Sequence, residues 1–458
     1  MMKALLILLL SIVSIIRADV QSINALKISP MGSVNGGLII DGTDYRINFL
    51  GRSEVQGTTR RFDWPGIQIR LRISNTSFLD VLLQSAGFYE IIVDNQPINS
   101  IQMNSQDFTR IASNLDPNTW HNIEIYKKNE AELTSVRPYI SLYILIPQVA
   151  TLKSVRIADQ GKFGRFISSK RRIEFVGDSI TCGYGVIPPS VPCSGNGPNG
   201  AWESAFDNYV RMTATDLAAD VTRVSWSGRG MVQNCCGLPP PVMPTLYNQT
   251  LGTDAKSKWN FKSWVPQAVV INLGTNDHNG NPAPSLDTFA AGYTQFIKDL
   301  RARYANVTVF TLCGGMVEGA FCDAVSKVSS ANGAHYVNIP ALTSNQMGCD
   351  GHPNTYGNRV MADLLVDLIS KKMRWPILSR VGSHGPIEFI DRPMNDLPNG
   401  LISASSPADC QNRCFARSDC QVWAFDTCGT RCWLKSAAST GVPSICRASA
   451  PSLLAQEL

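Results

Sequence analysis

The sequence predicts a multidomain protein: an N-terminal antiparallel β-sandwich, a central α/β domain built on a five-stranded parallel sheet, and a small disulfide-rich C-terminal module. Three observations carry this prediction. Apolar residues alternate with period two before about residue 160. Strand-like runs alternate with amphipathic helical runs from 172 to about 375. Six cysteines then crowd into the tail, from Cys410 to Cys446. The expected boundaries are 19–160, 165–378 and 382–450, behind a leader at 1–18.

The leader is read from Lys3, the apolar run Ala4 to Ile16 and Arg17-Ala18-Asp19. A basic start, an apolar middle and a small residue at the cut describe a secretory signal peptide. The rival reading is a membrane anchor, but the run falls short of the ~20 residues a span needs. No later stretch is long enough either, so no stable membrane insertion is expected and the localisation is secreted. The 13 cysteines suit an oxidising compartment, and Asn75, Asn248 and Asn306 head sequons for glycosylation. Hydrophobic residues make up 44% of the 458, and net charge is +5 with no basic stripe, which argues against a nucleic-acid partner.

In the first domain, Ile67, Ile69, Leu71 and Ile73 alternate with Gln68, Arg70 and Arg72. "FYEIIVDNQPI" (88–98) reads as a strand entering an Asp94-Asn95 turn, and "HNIEIYKK" (121–128) and "YISLYILI" (139–146) continue the style. Short strands with turn signals between them make a sandwich. In the second domain the strands are "IEFV" (173–176), "VTRVSW" (221–226), "AVVINL" (268–273), "VTVFTL" (307–312) and "HYVNI" (335–339). Helical runs at 208–220, 286–304 and 357–373 separate or follow them. Such a sheet is covered on both faces and binds ligands beyond the carboxyl ends of its strands. The tail is too small to bury much apolar surface, so disulfides among Cys410, Cys414, Cys420, Cys428, Cys432 and Cys446 are expected to support it. A zinc site is the rival there, but the histidine spacing of zinc modules is missing.

Polar clusters follow the strands of the central domain: Gly177-Asp178-Ser179, "SGRG" (227–230), "GTNDH" (274–278) and, before the last helix, "DGHPN" (350–354). All should gather at one edge of the sheet. Ester hydrolysis by serine needs a hydroxyl, a base and N–H donors for the oxyanion. Ser179 supplies the hydroxyl. The Ser179 and Gly228 backbone N–H groups and the Asn276 amide supply donors, and His352 supplies the base. His278 competes as base; His352 is preferred because it sits on a loop leading into a helix, with Asp350 two residues before it. The bland alternative is ordinary turn chemistry, which favours the same residue types. Trp226, Trp202, Tyr184 and His278 are candidates for lining a sugar site, with core packing as the alternative for the aromatic ones.

These four blocks resemble the SGNH (GDSL) hydrolase superfamily. "RFDWPGIQIRLRI" (61–73) together with "VGDSITCGYG", "WSGRGM" and "NLGTND" resembles carbohydrate esterase family 2 most closely. The resemblance implies a jelly-roll sandwich before a flavodoxin-like α/β/α hydrolase. It also implies no metal or cofactor, and an acetylesterase acting on polysaccharide, preferentially at the 6-hydroxyl of hexoses. Many members of the superfamily have Asp-x-x-His, whereas here Asp350 stands only two residues before His352. A Ser–His dyad is therefore expected, with a backbone carbonyl able to hold the imidazole and Asp350 as a secondary partner. "SSPADCQNRC", "QVWAFD" and "CWLK" resemble a PAN/apple module, which implies a glycan or protein ligand and a nested pairing with Cys410–Cys446 outermost. The other seven cysteines, Cys182 and Cys193 among them, are odd in number, which leaves either one free thiol or a pairing outside this scheme. The rival functions are a glycan- or protein-binding protein on an inactive hydrolase scaffold, and a lipase or phospholipase of the same fold.

Overall fold

The computed structural model describes residues 37–130 (save 86, 104 and 105), 149–186 and 202–377, the strands at 32–33, 133–136 and 144–147, and parts of 390–451. The leader at 1–18, Cys193, Cys428 and Cys446 lie outside the described residues. The chain forms two compact units, Met1–Ser168 with Gln249–Trp259 and Ser169–Asn248 with Asn260–Leu458.

The first unit is the predicted antiparallel sandwich, with one seven-stranded and one six-stranded sheet. In the six-stranded sheet Gln68–Ser74 pairs with His121–Lys127, placing Ile69 opposite Ile125 and Leu71 opposite Ile123. The period-two pattern therefore feeds Ile67, Ile69, Leu71 and Ile73 into the core, each no more than 1% exposed. The alternate residues are not left to solvent. Arg70 lies over the Phe166 ring at 4.8 Å and donates to Asn48 Oδ1, and Arg72 lies over Trp120 at 5.3 Å. Their aliphatic stems and cation–π contacts cover what a simple alternation rule assigns to water. The hairpin at Asp94-Asn95 turns with both residues at positive φ, 50° and 67°, as a tight two-residue connection requires.

Residues 249–259 fall within the α/β stretch of the sequence but pack into this first unit. The fully buried Asp63 accepts from Gly252 N and Thr253 N at 2.9 Å each and from Thr253 Oγ1. Trp64 Nε1 donates to the Thr250 carbonyl at 2.9 Å, and buried Arg52 donates to that of Gln249 at 3.0 Å. Burial pushes the Asp63 carboxyl up, and the three donors oppose the shift.

The central domain runs β1 (Arg172–Gly177), α1 (Ser179–Cys182), α2 (Tyr209–Asp216), β2 (Asp220–Ser225), β3 (Ala268–Asn272), α3 (Thr275–His278), α4 (Leu286–Arg303), β4 (Thr308–Gly314), α5 (Ala320–Ala331), β5 (His335–Ile339) and α6 (Thr355–Met373). All five strands are parallel, in the order β2-β1-β3-β4-β5. This is the flavodoxin-like order, whose direction reverses between β1 and β3 and opens a crevice at their carboxyl ends. The runs are apolar because the strands are buried on both faces. Ile173, Phe175, Val270 and Leu312 meet Tyr209 and Val210 of α2 and Met361, Leu365 and Ile369 of α6. The 361, 365, 369 spacing is one face of a helix, and Leu365→Ala there would cost about 2–5 kcal/mol. On α4, Phe289, Tyr293, Phe296, Ile297 and Leu300 form the same kind of buried stripe.

In the tail, the strands order as Asp396–Ser403, Arg431–Lys435, Val422–Asp426 and Arg447–Pro451. The pairing differs from the nested expectation. Cys410 bonds Cys432, so it is not linked to Cys446, and Cys414 bonds Cys420. The reason is packing. Cys432 lies in the strand Arg431–Lys435 and, with Cys410, Cys414, Cys420, Trp423 and Leu434, makes the small core that the disulfides hold together. A further bond, Cys313–Cys322, joins the end of β4 to the first turn of α5.

Candidate active site

The site starts where β1 ends. Any side chain at Gly177 would put its Cβ 2.0 Å from Thr181 Oγ1, so only glycine lets the chain turn this tightly into α1. Asp178 caps α1, its Oδ1 accepting from Ile180 N at 3.1 Å. Capping is thus done by the aspartate, and Ser179 is free of it. Ser179 Oγ instead lies 2.7 Å from Nε2 of His352. The far end of this short helix is held from β2: buried Arg223 donates to the carbonyls of Thr181, Cys182 and Ala205. Asn208 adds a 2.8 Å bond to the Ile180 carbonyl.

His352 stands in the turn before α6, whose first N–H groups are capped by Asn354. Its Nδ1 is 3.2 Å from the backbone carbonyl of Asp350, a residue at φ 52°. A carbonyl only accepts, so Nδ1 carries the hydrogen and Nε2 is left with its lone pair facing Ser179. The Asp350 carboxylate does not touch the imidazole; its Oδ2 accepts from Tyr184 Oη at 2.7 Å. The Tyr184 ring packs against the imidazole with centroids 4.7 Å apart. Burial in this crevice holds His352 below the usual histidine range, against the opposing pull of the Asp350 carbonyl and charge.

Gly228 and Asn276 come from the loops after β2 and β3. Gly228 has φ 76°, and a Cβ there would stand 2.4 Å from Leu238 Cδ1. Asn276 Nδ2 donates to the Arg229 carbonyl at 3.0 Å, which uses one of its two amide hydrogens. Asp277, buried next to it, accepts from the backbone N–H groups of Met231, Val232 and Gln233 at 2.7, 2.8 and 2.9 Å. Burial raises the Asp277 carboxyl and these three bonds pull it back. The sequence marked Asp277 only as part of a block, and did not mark Arg223 at all. The signal available was a charged residue inside an otherwise apolar strand or turn, since buried charges occur where they are paired.

The remaining candidates separate. His278, the competing base, packs its ring edge-on against Phe321 at 5.4 Å. Trp226 sits under Arg229 at 5.1 Å. Trp202 is buried. Tyr184 has both its ring and its hydroxyl engaged with the His352 turn. Of the sequon asparagines, Asn75 and Asn306 are exposed at positive-φ turns, whereas Asn248 Nδ2 donates to the carbonyls of Pro244 and Thr245.

Comparison with known proteins agrees with this architecture. Residues 175–360 match the GDSL-like Lipase/Acylhydrolase family, 49–137 match the carbohydrate esterase 2 N-terminal domain, and 390–435 match the PAN domain. The chain is 25% identical over 346 residues to an acetylxylan esterase / glucomannan deacetylase of Cellvibrio japonicus, covering 73% of this chain and 91% of that one. It is 29% identical over 330 residues to the cellulase/esterase CelE of Acetivibrio thermocellus, covering 68% of this chain but only 38% of that protein. Among solved structures it is similar to a family two carbohydrate esterase from Clostridium thermocellum in complex with cellohexaose, at 27% identity and TM-score 0.61, over 72% of this chain and 99% of that one. The central domain thus matches the GDSL-like Lipase/Acylhydrolase family over residues 175–360, and the chain is similar to proteins named as esterases and to solved family two carbohydrate esterases.

Proposed function

We propose that this protein is a secreted serine esterase that removes acetyl groups from polysaccharide, with the 6-O-acetyl groups of hexoses as the preferred substrate. The observation that supports it most is the relay from the Asp350 carbonyl through His352 to Ser179, at 3.2 and 2.7 Å. Ser179 Oγ attacks the acetyl carbonyl while Nε2 of His352 takes its proton. The N–H of Ser179 begins a helix and has no partner within it, so it is available to the oxyanion together with Gly228 N–H and the second Asn276 amide hydrogen. As the tetrahedral intermediate collapses and the acyl C–O bond breaks, the imidazolium gives its proton to the leaving sugar oxygen, which departs as the hydroxyl. Water, deprotonated by the same His352, then releases acetate. Each oxyanion donor contributes about 3 kcal/mol to such a reaction. The relatives named for acetylxylan and glucomannan support acetylated carbohydrate as the substrate class.

The experiment is acetate release from acetylated glucomannan and xylan oligosaccharides, set beside hydrolysis of a long-chain aryl ester. Faster turnover of the acetylated sugars supports the reading. Preference for the long-chain ester would move the protein to the lipases, and no turnover of either would leave a binding protein on a hydrolase scaffold. We assign to the PAN module a glycan or protein ligand that holds the enzyme near its substrate.

A further inference from the structure

Most described cysteines are paired: 313 with 322, 410 with 432, and 414 with 420, while Cys349 is also disulfide-bonded. The thiols among the described residues are Cys182, Cys235 and Cys236. Cys182 is buried under Ser225, to whose Oγ it donates. The other two are adjacent in the chain. Cys236 is exposed and at φ 57°, and Gly237 follows at φ 71°. The turn they occupy is pinned to the loop proposed to hold the oxyanion. Cys235 N donates to the Gly228 carbonyl at 3.1 Å, and Leu238 N donates to the Cys235 carbonyl at 2.9 Å. A Cβ on Gly228 would lie 3.6 Å from Cys235 Sγ, so this sulfur backs directly onto that glycine.

We infer that Cys235 and Cys236 close a reversible vicinal disulfide, a redox modification site that stiffens the wall behind Gly228. The inference of an effect on turnover rests on the esterase reading given above; the bond itself does not. Adjacent Cα atoms stand about 3.8 Å apart, below the usual range for bridged cysteines, so such a bond is strained and easily reduced. It therefore behaves as a switch and not as a permanent staple. A disulfide oxidant of the oxidised-glutathione class supplies the electron acceptor. The Cys236 thiolate attacks one sulfur of the oxidant, forms a mixed disulfide and expels one glutathione thiolate. Cys235 then gives up its proton and attacks Cys236 Sγ, expelling the second. Two protein thiols lose two electrons and two protons, and one oxidant disulfide becomes two thiols. The order follows from access and acidity: Cys236 is exposed, while burial and the neighbouring thiol push Cys235 up to about 12.

The test equilibrates the whole protein in oxidised or reduced glutathione, alkylates remaining thiols under denaturing conditions, and reads the peptide holding Cys235 and Cys236 by mass spectrometry. The expected result is an internal disulfide in the oxidised sample and two alkylated cysteines in the reduced one. Aryl acetate turnover should fall about threefold or more on reduction, while a Cys235→Ser/Cys236→Ser double variant keeps one rate in both buffers. That variant separates this pair from any effect of reducing Cys313–Cys322. Alkylation of both cysteines after oxidation, stable glutathione adducts on them, or a bond from either to Cys182 would overturn the proposal. A bond that forms with no change in turnover would overturn its coupling to Gly228. Because the peptide mass needs no turnover, a wrong esterase assignment would still leave the disulfide readable.

Discussion

Tyr184 donates a 2.7 Å hydrogen bond to the carboxylate of Asp350 while its ring lies 4.7 Å from the imidazole of His352. One side chain thus touches both His352, the proposed base, and the residue whose carbonyl faces its Nδ1. Asp350 sits at φ 52°, a conformation that costs a non-glycine residue about 1 kcal/mol or more and persists only when neighbours hold it. Tyr184 is one of those neighbours. Tyr184→Phe keeps the ring and loses the hydroxyl. It should lower kcat about tenfold, equivalent to about 1.4 kcal/mol, with KM nearly unchanged. Steady-state kinetics on an aryl acetate decides this, and a change in KM alone would make Tyr184 a sugar contact instead.

The pH dependence follows from the same turn. As the proposed base, His352 would work only when neutral, so kcat/KM should fall as pH drops through its folded pKa. Burial disfavours the imidazolium, which places this acid limb below the ordinary histidine value of 6.5. The Asp350 charge opposes that shift, so Asp350→Asn should move the limb lower still. It should also cost about tenfold or less in rate, far from the ~10⁴ lost when an orienting aspartate is replaced in a full triad. A pH–rate profile of both proteins measures the two effects together, and an unmoved limb in Asp350→Asn would remove the carboxylate from the account.

Asp277 holds three successive N–H groups of the loop after β2. Asp277→Ala leaves them buried without an acceptor, at a cost of about 3 kcal/mol. For a domain of this size that is a drop of roughly 6–12 °C in Tm. Calorimetry should show it, and the residual activity of the folded fraction should fall as well, because the same loop carries Gly228.

Asp63 does for the sandwich what Asp277 does for the central domain. Asp63→Ala should release the 249–259 segment, whose Lys256 and Lys258 are exposed. Limited trypsin digestion should then cut at those lysines at least about tenfold faster than in the wild type, before global unfolding. Equal cleavage rates would mean that Trp64 and Arg52 hold the segment without it.

Strand patterns were the most legible part of this chain. Five apolar runs with helices between them announced the parallel sheet, and the alternation at 67–73 announced the sandwich, because burial on two faces or one writes itself into local sequence. The four polar blocks were legible as strand ends, and the structure brings Ser179 and His352 together across 173 residues of chain. What local sequence does not carry is the choice of partner at long range. Nothing near Cys410 distinguishes Cys432 from Cys446. Nothing in "GTDAKSKW" shows that it folds against Asp63, nor in "CGYG" that the Tyr184 hydroxyl reaches a carboxylate 166 residues away. Such facts depend on which surfaces meet after folding.

The central claim is that Ser179 is the nucleophile and His352 its base, and the hydrolysis rate of an aryl acetate by Ser179→Ala tests it most directly. Circular dichroism and an unchanged Tm would first establish that the variant is folded. The account predicts a loss of about 10³-fold or more in kcat, matched by His352→Ala and not deepened by combining the two, since the pair acts as one unit. A folded Ser179→Ala protein that hydrolyses the ester at the wild-type rate would contradict it.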